Sequence, residues 1–428
     1  MKKIFFLAAI LSLTLSVHSQ DDVYPAKAYK GLLFITNGTV HIGNGQVLDN
    51  ATIEVKDGKI VRVGTGIAVP QDDVKVFNVA GKQVYPGLIL PQSDLGLKEI
   101  SGSVRGSNDY RELGDINPNI RSIVAYNTAS TMINVLKANG ILLAGIVPQG
   151  GTISGSSSVV QLDAWNWEDA AYATGNGMHI NMPSFAVPAA AAKPEEVIRE
   201  ALEKTEKIKS FFREARAYLQ EATHTSTNLK LEAVKGLFDK SQKLFVHAGQ
   251  VKQMLLAIDF AKEFGFNVVI VGGEASWQIA SLLKENNVAV ILNAEHHLPS
   301  TEDDDYDQPF KTPAILQKAG VLFALNDDAS NARYRNLAFN AGTAAAFGLT
   351  KEEALSAITL NAANILGIAA RTGSLEAGKD ANIVISEGDI LDMRTSIITH
   401  AFIQGRQVDL ASKQTQLYER YMGKYGLK

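Results

Sequence analysis

Val84-Tyr85-Pro86-Gly87-Leu88-Ile89-Leu90-Pro91-Gln92-Ser93-Asp94-Leu95-Gly96 is the stretch whose reading decides the fold. A short apolar run with turn residues at both ends predicts a buried strand that opens into a loop. Gln92 and Asp94 follow that strand directly, and their chemistry carries most of the functional question.

Downstream, short apolar runs at residues 141–147, 244–246, 268–271, 288–292 and 321–325 are separated by helical patterns. In one of these Val251, Met254, Leu255, Ile258 and Ala261 share a face at helical spacing. Strands alternating with helices predict an α/β domain with a parallel sheet, and their number suggests closure into a (β/α)8 TIM-like barrel. Val197, Ala201, Ile208, Phe212, Ala215 and Leu219 form the stripe of a long charged helix expected to pack outside the core, with Pro194 suited to its first turn.

The two ends of the chain have another style. Between residues 31 and 79, alternating runs are broken by Asn37-Gly38, Asn44-Gly45 and Asp57-Gly58, which supply the positive φ of tight hairpins. Residues 381–386 and 397–403, with the turn Gln404-Gly405-Arg406, repeat that style. The expectation is a small composite β-sandwich built from residues 20–85 and 380–428, flanking a barrel over 86–379; two unrelated caps are the alternative. Residues 418–428 are expected to form a terminal helix or to lack order.

With 428 residues, 46% hydrophobic and 20% charged, the chain can bury a sizeable core. Its net charge of −4 gives no basic face for nucleic acid. Met1-Lys2-Lys3, an apolar run to Val17 and the small-residue end at Ser19 predict a cleaved signal peptide over residues 1–19. The run is short of the ~20 apolar residues a membrane span needs. A periplasmic or secreted protein follows, with no membrane span after cleavage. The absence of cysteine excludes disulfides, thiolate ligands and a cysteine nucleophile.

The opening stretch resembles the first barrel strand of the amidohydrolase superfamily. Residues 139–148 with Gly150-Gly151, the Ile358-Thr359-Leu360-Asn361-Ala362-Ala363 helix and Gly373-Ser374-Leu375-Glu376-Ala377-Gly378-Lys379-Asp380-Ala381 are similar to its imidazolonepropionase-like, secreted branch. The resemblance implies a barrel whose strand ends hold one or two divalent ions, zinc or similar, that make hydroxide from water near neutral pH.

Position by position, the implied metal site is degenerate. The His-x-His pair of the first strand falls on Gln92 and Asp94, of which only Asp94 is anionic. Gln161 stands near where some relatives place a lysine. His247 matches the fifth-strand histidine, a structural histidine being the alternative. The sixth-strand histidine falls near Gly272 or Gly273. Asp328, with Asp327 as second choice, matches the last-strand aspartate that serves as general base. Gly150 and Gly151 would leave room for substrate, His297 could bind substrate or metal, and Trp165 beside Trp167 could stack on a ring or sugar. The acidic run from Glu302 to Asp307 could hold calcium, a solvated loop being the alternative.

Two functions are therefore expected. One is a hydrolase of carbon–nitrogen bonds in a cyclic or linear amide, with Asp94, His247 and Gln92 around at most one ion. The other is an inactive homologue, a pseudoenzyme, that binds a small ligand or pairs with an intact partner subunit; a homo-oligomer is also compatible with either.

Overall fold

The computed structural model describes residues 23–71, 74–99, 109–187, 193–293, 295–299, 303–327 and 332–427. The expected signal peptide and Asp328 lie outside the described residues. Among the described residues no helix is long and apolar enough to cross a membrane.

Both chain ends contribute to one sheet, through β1 (Leu32–His41), β2 (Val47–Lys56), β3 (Lys59–Gly64), β4 (Lys75–Asn78) and β5 (Gln83–Pro86), joined by β14 (Ile383–Ser386), β15 (Ile398–Ile403) and β16 (Arg406–Gln407). The order is β16-β15-β14-β5-β1-β2-β3. β1 is irregular between Ile35 and Val40, where Asn37 takes φ 66°. Before that bend it pairs with β4, after it with β5. One strand thus serves two neighbours on the same edge, and the sheet curves around a core of Leu33, Ile53, Val84, Ile383 and Phe402.

The middle of the chain forms the barrel: β6 (Leu88–Ser93), β7 (Ile141–Ile146), β8 (Ile153–Gln161), β9 (Ala171–Asn181), β10 (Lys243–Ala248), β11 (Val268–Gly272), β12 (Ala289–Leu292) and β13 (Phe323–Leu325). They lie side by side in chain order. The apolar runs read from the sequence become β6, β7 and β10 to β13, and Leu88, Ile141, Leu244, Ile270, Ile291 and Phe323 meet in one core. The sheet is nearly closed: the Gln92 N–H donates to Asn326 Oδ1 at 3.3 Å, tying the two edge strands together.

The barrel departs from strict βα alternation at one place. β8 runs antiparallel to both β7 and β9, so these three strands form a meander. Its sequence, Ile153-Ser154-Gly155-Ser156-Ser157-Ser158, has little strand propensity, which is why periodicity misses it. Every residue of β8 is nonetheless buried, and the small hydroxyls fit where neighbouring backbone comes close; Ser157 Oγ donates to the Gly177 carbonyl.

The long helix spans Pro194–Gln220, with proline in its first turn and Ile208, Phe212 and Ala215 buried against the barrel. At the other extreme, the terminal helix Lys413–Lys424 is closed at its start by a Ser412–Thr415 capping box and buries none of its own residues.

Candidate functional site

The ladder registers fix which side chains meet. Asn181 lies opposite His247, Ala248 opposite Gly272, Gly272 opposite Leu292, and Leu292 opposite Leu325. The C-terminal ends of β9 to β13 therefore share one end of the barrel, and β6 joins them through Gln92. This is the end at which parallel barrels carry their chemistry, because each strand there releases its loop.

His179 on β9 and His247 on β10 form the centre of this mouth. His179 Nδ1 lies 3.0 Å from His247 Nε2, and the His179 ring stacks on Phe245 with centroids 4.8 Å apart. Burial pushes both imidazoles down, His247 to about 4. His179 is held well below 6.5, first by burial and then by His247. Both rings are neutral at pH 7, so one nitrogen of the shared pair donates and the other accepts. His179 Nε2 is buried and has no partner among the described residues.

Asp94 is nearly as enclosed. The Tyr334 hydroxyl donates to Asp94 Oδ1 at 2.6 Å and accepts from the Asp94 N–H at 3.2 Å. Asp327 is fully buried; Asn340 Nδ2 donates to its Oδ2 at 3.2 Å, and the Arg333 guanidinium stands 3.6 Å from Oδ1. The Gln92–Asn326 contact leaves Gln92 Oε1 and Asn326 Nδ2 buried without partners among the described residues.

Beyond β11 and β12, Asn293 Nδ2 donates to Glu274 Oε1 at 3.5 Å. Gly273 has φ 64°, and a Cβ there would meet Val290 Cγ1 at 2.7 Å, so backbone geometry demands glycine where a histidine would otherwise be expected. Glu295 is 2% exposed and neither carboxylate oxygen has a partner among the described residues. Burial raises its carboxyl well above the usual range.

Other sequence candidates lie elsewhere or are already engaged. The Gly151 carbonyl accepts from Asn181 Nδ2 at 2.8 Å, and a Cβ on Gly151 would meet the Asp115 carbonyl oxygen at 2.8 Å. Gly150 is likewise faced by Arg111, so the room beside these two glycines holds the chain's own residues 111–115. His297 is exposed, its Nδ1 2.5 Å from the Leu298 carbonyl oxygen. Asp305 and Asp307 both pair with Lys311. Because β8 is reversed, the segment after it leaves the barrel at the end away from His247. Gln161 there accepts from Arg406 at 2.5 Å, and Trp165 sits on the flank beside Thr128 and Tyr24. His179 and Tyr334, which shape the mouth most, carry no motif. A lone histidine in the apolar run Met178-His179-Ile180 was the available signal for the first.

The donors that remain among the described residues do not fit a zinc centre. Such a site needs three or four imidazole or carboxylate groups converging on one point. Among the described residues no three His, Asp or Glu side chains are so grouped. The reason is visible in the pairs: His247 spends Nε2 on His179, Asp94 is bound by Tyr334, and Asp327 by Asn340.

Comparison with known proteins agrees with the fold. The profile described as "Amidohydrolase family" matches residues 168–408. An imidazolonepropionase of Streptococcus sanguinis is 24% identical over 374 residues, covering 81% of this chain and 86% of that protein. The crystal structure of an amidohydrolase from Thermotoga maritima superposes with TM-score 0.76 at 26% identity, covering 88% of this chain and 99% of that one. An adenosine deaminase from Xanthomonas campestris, solved with bound zinc, superposes at TM-score 0.51 and 16% identity, over 92% and 98% of the two chains, and supports the fold alone.

Proposed function

The chain belongs to the amidohydrolase family, a family of hydrolases, and from that premise we propose that it binds a small, polar, amide-bearing molecule at the barrel mouth without a histidine-clustered metal. One observation carries this: several buried polar atoms on or just after barrel strands have no partner among the described residues, namely His179 Nε2, Gln92 Oε1, Asn326 Nδ2, Asn293 Oδ1 and the Glu295 carboxyl. Leaving a buried donor or acceptor unmatched costs about 1–3 kcal/mol each, so such a set is retained where something else satisfies it.

The chemistry of the set describes its ligand. Gln92 Oε1 and Asn293 Oδ1 accept, Asn326 Nδ2 donates, and the Glu295 carboxyl adds further acceptor oxygens. A cyclic or linear amide presents N–H and C=O in one plane and matches that alternation; the imidazolonepropionase resemblance favours a small ring. Asp94 and Asp327 are engaged within the chain, so neither carboxylate is left free for an ionic ligand. The leader-like first residues support action outside the cytoplasm.

Hydrolysis of the same C–N bond is the second function, favoured because family members typically work with a bound metal. Here Asp94 and His247 would be the groups to hold an ion, and Asp327 or Asp328 the base. Neutral imidazoles of low basicity do not supply that base near pH 7.

The test is calorimetric titration of the purified chain with hydantoin, a lactam and a linear dialkyl amide, with product formation followed by NMR with and without zinc. Binding without turnover, unchanged by zinc and weakened about tenfold or more by Asn326→Ala, is expected. Zinc-dependent turnover abolished by His247→Ala would establish the hydrolase instead.

A further inference from the structure

A second cleft, of about 530 Å³, lies on the barrel flank away from the mouth. Its walls are the segment Val23-Tyr24-Pro25, the start of the helix Thr131–Ala138, the segment from Leu162 to Trp165 and the first turn of the helix Lys413–Lys424. The volume is within the range of small-molecule sites, about 300–1,000 Å³.

Two features give this cleft chemical character. Trp165 is 64% exposed and Tyr24 60% exposed, with ring centroids 6.0 Å apart and planes inclined by 33°. Large aromatic rings left open side by side offer a face on which a flat ring can stack. The second feature is the cleft's base, where Lys137 is only 2% exposed. Its ammonium donates to Asp163 Oδ1 at 3.1 Å, the single partner it has among the described residues. An ammonium carries three N–H donors, so two are unspent in a nearly dry setting.

Asp163 cannot supply the rest. Its Oδ2 already accepts from the Ala26 N–H at 2.9 Å and from Arg406 Nε at 3.3 Å. Lys137 and Arg406 therefore outnumber the one buried carboxylate, and Lys413 adds a further cation to the lining. A cationic base beneath an aromatic platform selects for a negative group attached to a flat ring.

We propose that this flank cleft binds a flat-ringed small carboxylate, the ring against Trp165 and Tyr24 and the carboxylate on Lys137 and Lys413. The mouth, with its neutral donors, would take neutral amides, so the two sites differ in the charge they accept. An electropositive cleft walled by both ends of the chain also couples ligand binding to the docking of the segment at Tyr24 and the helix Lys413–Lys424.

Titration calorimetry on the full mature chain tests this, with 4-hydroxybenzoate, its neutral analogue 4-hydroxybenzamide and methyl glucoside as probes. Binding of the benzoate, at least about tenfold tighter than the benzamide, is expected from loss of a charge-assisted hydrogen bond. Trp165→Ala should weaken the benzoate about tenfold with thermal stability unchanged, since the ring is exposed. Lys413→Gln should weaken it less and make binding less sensitive to salt. Lys137 is left intact because its pairing is structural. Asn326→Ala, at the mouth, should leave benzoate affinity unchanged, which separates failure here from failure of the proposed mouth function. No benzoate binding at millimolar concentration, equal affinity for benzoate and benzamide, preference for the glucoside, or full affinity in Trp165→Ala would overturn it.

Discussion

His179 and His247 share one hydrogen bond across adjacent barrel strands, their nitrogens 3.0 Å apart, the His179 ring buried and the His247 ring partly so. His247, which the sequence resemblance matches to a metal-binding histidine, thus directs its Nε2 at a second imidazole.

The pair makes folding sensitive to acid. Both histidines have folded pKa values below the ordinary 6.5, His247 at about 4. The unfolded chain takes up protons first as pH falls, so stability present above pH 6.5 is lost on the way down to about 4. Calorimetric melting across that window should show a falling Tm, with a shallower slope in His247→Gln. An unchanged slope would mean that the pair does not remain neutral in the fold.

A third histidine works in the opposite direction. His41 in β1 lies 2.7 Å from Glu352 and 2.9 Å from Gln83 Oε1, and stacks on Tyr85, so it latches the sheet to a barrel helix. Burial lowers its pKa, but the bonds to Glu352 and Gln83 and the nearby Asp389 charge outweigh this and raise it. Its contribution is thus fully present below pH 6.5 and fades as pH rises through the raised value. His41→Gln should cost about 1–3 kcal/mol at pH 6 and less at pH 9, measured by denaturant melts. A cost independent of pH would contradict the charged latch.

Tyr334→Phe removes the hydroxyl that binds Asp94 and leaves a buried carboxylate short of a donor. A loss of about 1–3 kcal/mol in chemical denaturation is expected. A neutral outcome would show that Asp94 finds a replacement partner at the mouth.

Gln92→His together with Asp94→His restores the imidazole pair that the first barrel strand lacks. Zinc affinity, measured by competition with a chromogenic chelator, should rise, because imidazole is a far better zinc ligand than an amide oxygen. Unchanged affinity would mean that His247 and its neighbours are not arranged to complete a shell.

The strands that built the barrel were legible where residue type and burial agree. Leu88, Ile141, Leu244, Val268, Val290 and Phe323 are apolar, β-branched or aromatic, and fully or almost fully buried. β8 escaped because four of its nine buried positions are serines and a fifth is glycine, which breaks the apolar run that a buried strand would otherwise show. That omission moved Trp165 and Gln161 in prospect: with β8 reversed, the loop that follows it leaves the far end of the barrel. His179 and Tyr334 escaped for another reason. His179 meets His247 across 68 residues and Tyr334 meets Asp94 across 240, distances over which spacing alone carries no information.

The most direct test of a mouth without a metal is elemental analysis of the chain purified from zinc-supplemented medium and dialysed without chelator. Less than about a tenth of an equivalent of any divalent transition metal is predicted, because too few imidazole and carboxylate donors are free to hold one. Close to one equivalent, lost in His247→Ala, would contradict it.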